Sequence, residues 1–135
     1  MTFNLTQSQI RKYRVSVHAF AAEQLGMIPD PWQSEFFDAV VSPDPHDMRI
    51  SLQACVGPGK TAALAVVAWW FLSVWGRPGN HPKGAAVSVT HDNLKDNLWP
   101  ELSKWQTKSK FLMETFQWTK ERVFAKSHPE TWFIS

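Results

Sequence analysis

Between Ser51 and Phe71 the chain reads SLQACVGPGKTAALAVVAWWF, and Gly57, Gly59, Lys60 and Thr61 there are its densest set of residues able to do chemistry. A glycine-rich turn at the start of a helix aims backbone N–H groups at an anion. A lysine closing such a turn reaches the β- and γ-phosphates of a nucleotide, and a threonine hydroxyl after it ligates Mg²⁺. The strict pattern has glycine five residues before the Gly-Lys-Ser/Thr glycine, where this chain has Ala54. The looser pattern, alanine or glycine at that place, is met by Ala54, the four residues to Pro58, and then Gly59, Lys60 and Thr61. On this reading Ala54, Val56, Gly57, Pro58, Gly59, Lys60, Thr61 and Ala62 surround the phosphates of ATP. Lys60 and Thr61 carry the catalytic roles, and the Thr61 hydroxyl binds Mg²⁺. The competing reading is a strand-to-helix turn whose lysine faces solvent. Cys55, inside the loop, reads as a small packing residue.

The flanking elements must supply that geometry. Arg49 to Ala54 has the alternation of a strand, and Thr61 to Trp75 is a long apolar stretch without proline or glycine, hence a helix stopped by Gly76, Pro78 and Gly79. Upstream, Ser8 to about Leu25 reads as one amphipathic helix ended by Gly26. Asp30 before Pro31 starts a second short helix over Trp32 to Val41. Downstream, Gly84 to Thr90 reads as a strand, His91 to Asn93 cap a helix running towards Trp105 with a kink at Pro100, and Phe111 to Phe116 is helical. RVFAK and TWFIS read as two closing strands joined by the turn SHPE. This order is α/β, with at least one βαβ unit. It divides into a helical lead-in over 1–45 and the start of an α/β core over 46–135.

Composition narrows the classes. The 135 residues carry a formal charge of +2, too little for a strongly basic nucleic-acid binder, and eight tryptophans supply ample apolar area for a core. The local lysines of KDNLWPELSKWQTKSK read as a solvated helix face. One cysteine excludes an internal disulfide framework and suits a reducing cytoplasm. The N-terminus lacks the pattern of a secretory signal, and the longest apolar run is too short for a membrane span, so the expectation is a soluble intracellular protein.

Gln33, in the segment PWQSEFF, offers both a donor and an acceptor to an adenine edge, although taken alone a surface glutamine beside a core Trp32 is the stronger reading. Together, the Pro31-Trp32-Gln33 segment, the strand, the Gly-Lys-Thr loop and SVTHDNLKDNLWPELSKW resemble the N-terminal part of the ATPase domain of phage large terminase subunits. The resemblance covers nearly the whole chain. It implies an incomplete RecA-like P-loop NTPase domain with a parallel sheet core and N-terminal helices, and an adenine-recognising Gln33. It further implies ATP hydrolysis that drives double-stranded DNA into procapsids. Its implied partners are duplex DNA, the portal protein and the small terminase subunit, with an oligomeric ring for the full-length parent in the host cytoplasm. Thr90 and His91 to Asn93 would lie near the DNA-coupling region. A helicase-like ATPase and a non-catalytic nucleotide-binding module are the alternatives.

The chain departs from the family pattern in two ways. Gln53 stands where terminases often carry an arginine, and no apolar run ends in the Asp-Glu pair of a Walker B element. The acidic cluster of a nuclease domain is also missing. Phosphoryl transfer needs these parts positioned together, so this polypeptide by itself is expected not to turn ATP over efficiently.

Overall fold

The computed structural model describes residues 5–42, 49–50, 60–75, 83–87, 97–119, 122–126 and 132–134. Helix α1 (Gln7–Arg14) opens with a capping box, in which the Thr6 hydroxyl accepts from the Gln9 N–H and the Gln9 side chain accepts from the Thr6 N–H. The expected single helix to Leu25 is interrupted. Ser16 caps a new start by accepting from the Ala19 N–H, and α2 (Val17–Phe20) widens into a π-turn over Ala21–Leu25. Serine offers the backbone an alternative partner, which ends one helix and begins the next. Gly26 closes the segment at φ 66°, a left-handed conformation that glycine adopts without a side-chain penalty.

Helix α3 (Pro31–Val40) follows Asp30, with proline at its first position. Helix α4 (Lys60–Trp75) is the axis of the molecule: its residues touch α1, α2, α3, the strands β1 (Lys83–Ala85) and β4 (Trp132–Ile134), and helix α5 (Trp99–Thr107). Pro100 is the second residue of α5, which follows directly on the π-helical Asn97 and Leu98, so the helix changes type where the proline stands. Helix α6 (Lys110–Thr115) runs directly into β2 (Phe116–Thr119), a strand absent from the sequence reading, whose helix reaches Phe116, and β3 (Arg122–Ala125) follows.

The sheet corrects the expected fold class. Its order is β1-β4-β3-β2, each strand has three or four residues, and only β1 with β4 is parallel; β4 with β3 and β3 with β2 are antiparallel. Among the described residues helix predominates, and no parallel RecA-like sheet core is present. The physical reason lies in the connections. Two residues separate β2 from β3 and six separate β3 from β4, whereas a parallel crossover takes a dozen or more. The expected strand over Arg49 to Ala54 falls mostly outside the described residues; Arg49 and Ile50 are exposed and not in a strand.

The core gathers around α4. Ala63, Ala65, Val66, Trp69, Trp70, Leu72 and Val74 are buried there, against Tyr13, Val17, Phe20 and Phe37 on one side and Leu102, Leu112, Phe116 and Val123 on the other. Trp69 lies 5.2 Å from the Phe116 ring and 6.4 Å from Trp118. Trp99 meets Trp118 at 5.2 Å and Phe133 at 5.9 Å, both edge-on. Such pairs add about 1 kcal/mol each beyond the area they bury.

Candidate functional site

The candidate site is the start of α4. Lys60 and Thr61 are its first two residues, both half-buried, and Ala62 is half-buried beside them. The loop residues Ala54, Val56, Gly57, Pro58 and Gly59 lie outside the described residues, as do Thr90 and His91 to Asn93. An α-helix leaves its first N–H groups without partners inside the helix and carries a partial positive charge there, and no acidic residue stands in the first turn of α4. An anion at that end meets both the dipole and the Lys60 ammonium. Among the described residues no three His, Cys, Asp or Glu side chains come together.

Gln33 has a definite structural employment. It is buried, and its Oε1 accepts from the Asp30 N–H at 2.9 Å, tying the first turn of α3. Its acceptor is thus directed at the backbone, while α3 as a whole packs on α4. Trp32 is partly buried against the core.

Two residues that the sequence reading passed over hold α4 in place. The Trp69 indole N–H donates to the Leu102 carbonyl in α5 at 3.0 Å, and the Trp70 indole N–H donates to the Tyr13 carbonyl in α1 at 2.7 Å. The signal was available: a buried indole N–H needs an acceptor, and two consecutive tryptophans in an apolar helix must send theirs in different directions. At the far end of α4, the Arg14 guanidinium lies 4.6 Å over the Trp75 ring.

The Tyr13 side of this anchorage is itself braced. Tyr13 is fully buried, its hydroxyl donates to Glu23 at 3.3 Å and accepts from the Gln24 amide at 3.0 Å, and Lys12 pairs with Glu23. Burial raises the Tyr13 pKa above its ordinary value, with the Gln24 bond opposing that shift. The hydrogen bond from Lys12 to Glu23 raises the lysine's pKa, at an exposed position. Among the described residues no helix is long and apolar enough to cross a membrane.

Compared with known proteins, the chain matches no family model, no curated protein and no solved structure.

Proposed function

We propose that the chain binds the triphosphate of Mg-ATP at the start of α4, as the nucleotide-holding segment of a DNA-packaging motor of the phage large terminase kind. The observation that carries the proposal is that Lys60 and Thr61, which close the sequence Gly-Pro-Gly-Lys-Thr, are the first two residues of a long helix free of acidic residues in its first turn. The proposal rests on this turn and not on the sheet, whose mixed order departs from the fold first expected. The packaging role rests on the likeness of Pro31 to Gln33 and of the loop to that family. In that role the parent protein moves duplex DNA in the host cytoplasm, with a portal and a small subunit as partners.

The chain's own residues bind rather than hydrolyse. Lys60 attracts and orients the terminal phosphates, and the Thr61 hydroxyl would hold a magnesium ion, whose charge would offset that of the phosphates. No apolar run ends in Asp-Glu to activate a water. The test is titration of the 135-residue chain with Mg-ATP, followed by tryptophan fluorescence. Saturable binding that weakens at least about tenfold in Lys60→Ala supports the reading, given the size of a charge-assisted contact to phosphate. Binding indifferent to Lys60→Ala, or no binding, refutes it.

A further inference from the structure

A helix with one polar face is held at one rotation by burial alone, because turning it would drive polar groups into the core. Helix α4 has no such face. After Thr61 its only polar residue is Ser73, itself buried, while Leu64 and Phe71 are 46% and 37% exposed. Apolar contact is non-directional, so burial leaves the rotation and axial register of α4 poorly specified. A slip by one residue moves every side chain by about 1.5 Å and swings it by about 100°.

Directional contacts must then fix the helix, and the indole bonds of Trp69 and Trp70 are two of them. They come from neighbouring positions, about 100° apart around the axis, and reach carbonyls in α5 and α1. Together they resist rotation in either sense and sliding in either direction. The acceptors are themselves set firmly: Tyr13 is fully buried and braced by Gln24, and Leu102 is 1% exposed. Lys60 lies about 14 Å up the same rigid helix.

We infer that Trp69 and Trp70 are positioning residues for Lys60 and Thr61, fixing through their indole N–H groups where the start of α4 stands. The inference depends on the proposed phosphate site. A misplacement of about 1 Å can cost a well-oriented contact a large part of its effect.

The test replaces each indole with a ring that cannot donate, in Trp69→Phe, Trp70→Phe and the double variant; the single variants serve where the double does not fold. Spin labels at Leu64→Cys and Met113→Cys, both exposed, in a Cys55→Ser background, report the distance between α4 and α6. The expected result is a distance distribution broadened or displaced by about 1.5 Å or more. Mg-ATP affinity should fall about tenfold, and ADP affinity less, because the lost alignment acts on the terminal phosphates. A folded double variant with an unchanged distribution overturns the inference. So does a shifted distribution with Mg-ATP affinity within about twofold of the parent. Lys60-dependent binding that ignores Trp69 and Trp70 overturns this inference alone, whereas a parent chain that binds no Mg-ATP removes the phosphate site and the positioning role with it.

Discussion

Gln106→Glu exchanges one amide nitrogen for oxygen at the joint between α5, α6 and β2, and the structure dictates the consequence. Gln106 is 6% exposed; its Nε2 donates to the carbonyls of Leu112 and Phe116, each at 3.3 Å, and its Oε1 accepts from the Trp118 indole. Glutamate keeps the acceptor for Trp118 but turns its second oxygen towards two carbonyl oxygens. An ionised glutamate forfeits two bonds worth about 1 kcal/mol each and sets a buried charge against two acceptors, a loss of about 3 kcal/mol or more at pH 8. Once protonated, its hydroxyl donates to one of the carbonyls, and about 1 kcal/mol of deficit remains.

The sign follows from linkage. Burial and the facing carbonyls raise the pKa of such a carboxyl in the folded chain, so the folded state keeps a proton that the unfolded state has lost. The variant's relative stability is therefore highest in acid and falls as pH rises, by at most about 1.4 kcal/mol per pH unit. The difference of about 2 kcal/mol should thus accumulate between roughly pH 4 and pH 6. Urea titrations of the parent, Gln106→Glu and Gln106→Leu from pH 4 to 8 measure it. Leucine, which titrates nowhere, should show a constant loss of about 3 kcal/mol. A Gln106→Glu deficit that is flat across this range, or below about 1 kcal/mol at pH 8, would refute the argument.

Tyr13 is the only tyrosine, so phenolate absorbance reports it alone. Its raised pKa means that the unfolded chain ionises first, so stability present below about pH 10 is lost as pH rises through the folded value. Tyr13→Phe should be about 1 kcal/mol less stable at neutral pH and should lack this part of the alkaline loss in denaturant titrations. Gly84 pairs with Phe133, whose Cδ2 lies 2.5 Å from where a Cβ would stand. Gly84→Val should therefore cost about 1 to 3 kcal/mol in thermal unfolding, since the Phe133 ring is already edge-on to Trp99. Gln33→Ala should cost about 1 kcal/mol through the first turn of α3, and an unchanged preference for ATP over GTP would leave Gln33 a capping role only.

The helices were largely legible because their signals are local. Asp30-Pro31, the apolar run after Lys60 and Gly26 each act within a turn of the element they start or stop. The sheet was less so. RVFAK and TWFIS carried enough β-branched and aromatic residues to be read, but Phe116 to Thr119 follows α6 without a break, and no turn residue marks the change. Strand partners depend on connection lengths and on residues far apart, which propensity does not encode. At the candidate site, Lys60 and Thr61 announce themselves by type and spacing. The buried indoles of Trp69 and Trp70 announce the need for an acceptor but not which one, because their acceptors are backbone carbonyls, and any residue could supply one.

Those two bonds also carry an order in time. Trp70 finds its acceptor 57 residues behind it in the chain, Trp69 finds one 33 residues ahead. During synthesis from the N-terminus, α4 can therefore dock on α1 as soon as it emerges, while its Trp69 face waits for Leu102 and then for Phe116. Until then a buried-type surface of tryptophan and valine stands open to water. A nascent chain whose emerged part ends between residues 75 and 102 should accordingly be a preferred client of ribosome-associated chaperones, and the released chain should not be.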